Sequence, residues 1–127
     1  MSLLAGKRLL ITGILTTDST TSLRVVARLM ADQRVHAVAV SEPDHVRRPW
    51  GIVTALDVAA AAAVGTEVTA GEAALTEVVT ITSEQTLQQA AELMNDHGVS
   101  HVVVIDAASG HPCGILSALD IAAAYGG

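Results

Sequence analysis

Apolar residues recur at Leu23, Val26, Ala27 and Met30 and again at Leu87, Ala90, Ala91 and Met94, the i, i+3, i+4, i+7 spacing of one helical face. Each set predicts an amphipathic helix. A β-branched run follows each, residues 36–40 and 101–105, then a loop containing Pro or Gly, residues 41–49 and 106–112, which reads as a hairpin connection. A second short strand is predicted at 51–53 and 114–116, and an Ala-rich helix at 56–64 and 119–125.

The two series are copies of one pattern. Displaced by 64 residues, Leu23, Ala27, Leu29, Met30, Asp32, Val35, Val38 and Val40 fall on Leu87, Ala91, Leu93, Met94, Asp96, Val99, Val102 and Val104. After a one-residue difference in the loop, the run GIVTALD from Gly51 falls on GILSALD from Gly114. Residues 14–19 match 78–83, so both copies open on a strand-like segment and a polar turn. The expected order is strand, helix, strand, strand, helix, twice: an α/β (α+β) chain divided into repeat 1 at 1–64 and repeat 2 at 65–127. Residues 65–74 read as the connection between them. A three-stranded unit of about 60 residues cannot cover its apolar face alone, so the pair is the expected folding unit.

Composition narrows the chemistry. Half of the 127 residues are apolar, yet there is no Phe, one Trp (Trp50) and one Tyr (Tyr125), so the core rests on small and branched aliphatics. Cys113 is the one cysteine, which excludes an intramolecular disulfide or a thiolate metal site and points to the cytoplasm. Lys7 and Arg8 ahead of an apolar stretch imitate a targeting signal, but Thr12 and Gly13 interrupt it and no small-residue cleavage site follows. No apolar run approaches the roughly 20 residues needed to span a bilayer. The net charge of −6 is uneven: all seven Lys and Arg precede residue 64, alongside five acids, while residues 65–127 carry eight acids and no Lys or Arg. Such a chain lacks the basic stripe and stacking aromatics of a nucleic-acid binder, and its polarity fits either two copies packed in opposite orientation or a solvated acidic face.

The chemistry-bearing motif is [Ser/Thr]-x-x-Asp, present as Thr54–Asp57 and Ser117–Asp120. Each lies where a strand ends and a helix begins, so free backbone N–H groups and the positive helix end face one point. A hydroxyl there can donate to a phosphate oxygen, and the aspartate can accept from the vicinal hydroxyls of a ribose. The base of an adenosine can then lie among aliphatic side chains. The same four-residue pattern is also a capping box that needs no ligand, and the two roles are compatible.

The duplicated signatures VHAVAV…GIVTALDVAAA and VSHVVVI…GILSALDIAAA, in register with the helices before them, resemble cystathionine beta-synthase (CBS) domains over essentially the whole chain. The resemblance implies two repeats related by pseudo-two-fold symmetry, forming a Bateman-type module that is regulatory rather than catalytic. It implies an adenine nucleotide or related adenosyl ligand, AMP before S-adenosylmethionine, in the cleft between the repeats. Family usage gives Asp57 and Asp120 the ribose hydroxyls, and Thr54 and Ser117 the phosphate. Positions matching Val35-His36 and Val99-Ser100-His101 line the adenine and approach the phosphates in the gamma subunit of AMP-activated protein kinase, which this chain resembles locally. Many phosphate-binding members place Arg or Lys near the phosphates, and repeat 2 has neither; Arg47 and Arg48, the histidines or helix ends would have to serve. A homodimer and a separate effector protein are the expected macromolecular partners. The alternative is a structural dimerisation module with empty clefts, using its small-residue helices.

The opening GKRLLITGILTTDS also looks like the start of the enoyl reductase branch of the short-chain dehydrogenases. That chemistry needs a Tyr and Lys at helical spacing, but the one Lys is Lys7 and the one Tyr is Tyr125. No metal site, membrane segment or catalytic constellation is expected.

Overall fold

The computed structural model describes residues 15–41, 51–74 and 78–127. Lys7, Arg8, His45, Arg47, Arg48 and Trp50 lie outside the described residues. The backbone divides into two compact units, one spanning Ile14–Val78 and the other built on Val79–Gly127.

In the first unit the strand β1 (Thr16–Asp18) leads through α1 (Leu23–Gln33) to β2 (Ala37–Ser41), which pairs parallel to it. β3 (Gly51–Thr54) returns antiparallel to β2, with Val38 opposite Val53 and Ala37 opposite Thr54. α2 (Ala55–Val64) follows without a break. The apolar stripe of α1 closes on the sheet: Leu23, Val26 and Met30 form one cluster with Val38, Val40, Val53 and Ala70. Ala39, whose side chain alternates to the other face of β2, is buried as well, which accounts for the unbroken apolar run of that strand.

The connection expected at 65–74 is folded onto this same unit. Thr69 caps a short helix, α3 (Ala70–Ala73), with its hydroxyl bound by the Glu72 N–H and the Glu72 carboxylate bound by the Thr69 N–H. Four residues make no stable helix alone. Backbone bonds hold it: Leu23 N–H to the Val68 carbonyl at 2.9 Å, Ala70 N–H to Thr21 at 2.7 Å and Gly71 N–H to Ser19 at 2.8 Å. A Cβ at Gly71 would stand 2.9 Å from both the Cβ and the carbonyl oxygen of Ser19, so only glycine fits this approach.

The second unit repeats the plan with β4 (Thr80–Thr82), α4 (Leu87–His97), β5 (His101–Ile105), β6 (Pro112–Ser117) and α5 (Ala118–Gly126), in the strand order β4-β5-β6. β6 starts two residues before the expected Gly114 because Pro112 pairs with Ile105 across a register irregularity at Val104/Ile105. Ile81, Leu87, Ala90, Met94, Val102, Val104 and Leu116 form its core. A Thr86–Gln89 capping box starts α4, while Ser22 alone caps α1 at the equivalent place. No helix among the described residues is long and apolar enough to cross a membrane.

Candidate functional site

Each Gly-led strand runs straight into a helix, and the turn is made by the [Ser/Thr]-x-x-Asp motif. Thr54 keeps extended backbone angles, φ −108° and ψ 167°, while Ala55 is already helical. The Thr54 N–H and hydroxyl both donate to Oδ2 of Asp57, at 2.7 and 2.9 Å, and the Asp57 N–H donates back to the hydroxyl at 3.4 Å. The second corner has the same geometry: Ser117 N–H and hydroxyl to Asp120 Oδ2 at 2.8 and 2.9 Å, with the return bond at 3.2 Å. A carboxylate in the first helical turn also complements the helix dipole.

The hydroxyl protons therefore point at the neighbouring carboxylates. Sequence reasoning gave these hydroxyls to a phosphate; in the protein itself they complete capping boxes, and a phosphate would have to accept in competition with Asp57 or Asp120. Both bonds to each aspartate fall on Oδ2, and Oδ1 accepts none among the described residues. That leaves one carboxylate oxygen at each corner with the acceptor capacity that a diol requires.

A second pair of hydrogen bonds fixes the strand entries beside the corners. The first N–H of α2, on Ala55, donates to the His36 carbonyl at 2.9 Å, and that of α5, on Ala118, donates to the Ser100 carbonyl at 2.8 Å. The structure thus gathers Val35 and His36 with Thr54 and Asp57 in one unit, and Val99, Ser100 and His101 with Ser117 and Asp120 in the other. The two histidines are not equivalent. His36 takes the position of Ser100, whereas His101 takes that of Ala37 and stands directly opposite Ser117 in the β5–β6 register. Directly opposed residues share a sheet face, so His101 neighbours the Ser117 side chain while Ala37 neighbours Thr54. Ser100 Oγ lies 3.0 Å from His101 Nδ1. This difference was available in the sequence as the one-residue offset of the two histidines, a signal that pattern matching passed over.

Val35, His36 and Ala55 line a cavity of about 390 Å³ with Ala27, Met30, Ala31, Arg34 and Val58 on the α1–α2 side of the first unit. Thr54 and Asp57 are not among its walls, so this hollow takes in only one side of the corner. Among the described residues no group of histidine, cysteine and acidic side chains could hold a metal ion. Cys113, within β6 and partly buried, is a free thiol whose pKa burial pushes up, so it keeps its proton at neutral pH. His97 and His111 are exposed.

A family model described as the CBS domain matches residues 7–64 and again residues 70–127. Among solved structures, a CBS domain protein from Pyrobaculum aerophilum complexed with AMP superposes with a TM-score of 0.76 at 28% identity, covering 87% of this chain and 85% of that one. A CBS-domain containing protein from Agrobacterium tumefaciens matches with a TM-score of 0.72 at 25% identity, over 87% of this chain and 83% of the other. The CBS domain pair of protein MJ0100, in complex with 5-methylthioadenosine and S-adenosyl-L-methionine, shares the fold at 22% identity with a TM-score of 0.76, over 92% and 98% of the two chains. A homoserine O-acetyltransferase of Methanosphaerula palustris is 35% identical over 96 residues, 76% of this chain. The chain spans about a fifth, 19%, of that protein's length.

Proposed function

The chain belongs to the CBS domain family, of which it carries two copies, and on that premise we propose that it is a non-catalytic regulatory module sensing AMP. The observation that supports this reading most is the duplicated corner: two carboxylates at helix N-termini, each with one oxygen held by its cap and the other open to a donor. A ribose supplies two such donors on adjacent carbons, and each can reach a carboxylate oxygen. The aliphatic strand entries at Val35 and Val99 offer a surface for the base. His36, Ser100 and His101 are the side chains proposed to approach the phosphate, with Thr54 and Ser117 if their hydroxyls turn from the aspartates. The AMP complex of the Pyrobaculum relative favours the same ligand. S-adenosylmethionine is the competing ligand, favoured by the absence of Lys and Arg from residues 65–127. The reading includes a homodimer acting on a separate effector protein in the cytoplasm.

Calorimetric titration of the protein with adenosine, AMP, ATP and S-adenosylmethionine tests it. Saturable binding of AMP is expected, and Asp57→Asn or Asp120→Asn weakens it by about 1.5–3 kcal/mol, the range for a hydrogen bond to a charged group. Circular dichroism verifies that each variant keeps its fold. Absence of binding across the panel, or equal affinity in the double variant and the wild type, overturns the proposal. Either result favours the second reading, a structural dimerisation module, which rests on the two capping boxes being complete without a ligand.

A further inference from the structure

The hollow of about 390 Å³ on the α1–α2 side of the first unit can be compared wall by wall with the second unit, because both units follow one plan. Four of its wall residues recur there unchanged: Ala27, Met30, Val35 and Ala55 match Ala91, Met94, Val99 and Ala118. The other four all differ, and in one sense. Ala31 and Val58 stand where the second unit has the larger Asn95 and Ile121, while Arg34 and His36 stand where it has Gly98 and Ser100. The first unit therefore has smaller walls at this place and adds nitrogen donors to it.

Arg34 is the strained member of the set. Among the described residues it is the one non-glycine with a positive φ, 54°, and Gly98 closes the equivalent helix at 62° without a Cβ to crowd its carbonyl. The cap needs only the backbone N–H, which Arg34 donates to Ala31 and Met30. Folding thus has no use for the arginine side chain, and strain of this kind is characteristically held where a ligand is clamped. The Arg34 guanidinium has no ion pair among the described residues, whereas Arg24, in an adjoining hollow, is neutralised by Glu67. No Asp or Glu lines the Arg34 hollow, so an incoming anion meets an uncompensated fork of N–H donors.

We propose that this hollow binds a small aliphatic carboxylate, its head on the Arg34 guanidinium and its chain along Met30, Val35 and Val58. A carboxylate matches the planar guanidinium fork with two parallel hydrogen bonds. His36, beside Val35, can add a ring N–H to the same end. The walls hold no aromatic side chain on which a ring could stack, and the volume lies at the low end for small-molecule sites, so a short aliphatic body fits best. Thr54 and Asp57 are not among the walls. The site is therefore separate from the corner proposed for AMP and does not depend on that reading.

Calorimetric titration with hexanoate, octanoate and octanol is the test, on the wild type and on Arg34→Gly, Ala31→Asn and Val58→Ile, which import the second unit's residues. Circular dichroism confirms that each variant folds. Octanoate is expected to saturate and to bind about tenfold more tightly than hexanoate, for its two further methylenes. Octanol, with the same chain and no charge, binds the wild type at least tenfold more weakly than octanoate, and Arg34→Gly abolishes that difference. Ala31→Asn and Val58→Ile weaken octanoate by filling the hollow, and AMP behaves alike in the wild type and Arg34→Gly. Octanoate that does not saturate, or that binds Arg34→Gly as it binds the wild type, overturns the proposal. An AMP affinity that falls in step with octanoate affinity also overturns it, by placing Arg34 in the nucleotide site. Sedimentation of the same samples identifies the other occupant: self-association that shifts in Arg34→Gly while octanoate affinity does not gives the hollow to a second copy.

Discussion

Arg34 and Gly98 close equivalent helices in the same left-handed conformation, at φ 54° and 62°. Each backbone N–H caps its helix: Arg34 donates to Ala31 and Met30, and Gly98 to Asn95 and Met94. Glycine adopts these angles at no steric cost, whereas the arginine Cβ crowds its own carbonyl. Replacing Arg34 by Gly is therefore expected to stabilise the protein by about 1 kcal/mol, and Gly98→Ala to destabilise it by about 1 kcal/mol. Urea denaturation of the two variants beside the wild type measures both; equal midpoints would contradict the strain assigned to Arg34.

The corner hydroxyls have a structural role that can be measured without ligand. Thr54→Ala and Ser117→Ala each remove the acceptor for an aspartate N–H and a donor to its carboxylate, at an expected cost of about 0.5–2 kcal/mol. Thr54→Ser and Ser117→Thr keep the box and should cost little. Thermal unfolding monitored at the helical band distinguishes the pairs.

Gly71 is held against Ser19 by the 2.8 Å backbone bond. Adding one methyl group as Gly71→Ala forces α3 away from the first sheet, with an expected loss of about 1–3 kcal/mol. Gly65→Ala, where an added Cβ meets nothing within 4 Å but φ is 77°, isolates the cost of the backbone conformation alone. Comparing the two unfolding midpoints separates steric contact from left-handed strain.

The β5–β6 hairpin carries a pH-dependent contribution. Ser109 donates its hydroxyl and its N–H to the Asp106 carboxylate, at 2.7 and 3.1 Å, which holds that carboxyl below its ordinary value of 3.8. Because the folded-state value is the depressed one, this stabilisation is present above the unfolded-state value and is lost as pH falls through the folded-state value. Ser109→Ala should return the Asp106 titration toward the ordinary range, read by carbon NMR of the carboxyl. The stability difference between wild type and variant should shrink on acidification below pH 3.8.

Much of this organisation was legible from residue order. The repeat and its strand-helix-strand-strand-helix plan follow from apolar spacing that recurs 64 residues apart, and the CBS resemblance rests on those same positions. The corner positions were legible because Thr54–Asp57 and Ser117–Asp120 sit at the change from period two to period 3.6. What escaped were features set by tertiary context. α3 has only four residues and persists because its neighbours' carbonyls at Ser19 and Thr21 bind it, which no local propensity encodes. Arg34 in a left-handed cap runs against the preference for Gly or Asn, so nothing in its identity announced it. The direction of the corner hydroxyl protons, toward the aspartates, depends on rotamers that a motif does not specify.

Each unit has its own cluster of buried aliphatic side chains, with Val26, Val38 and Val53 in one and Ala90, Val102 and Leu116 in the other. Amide exchange should accordingly fall into two blocks of protection, one per nucleus, rather than a single graded profile. Hollowing one nucleus, as by Met94→Ala, would release its own block early while the amides around Val38 keep their slow exchange. Thermodynamic damage would then be local, and one half would go on reporting after the other had begun to melt.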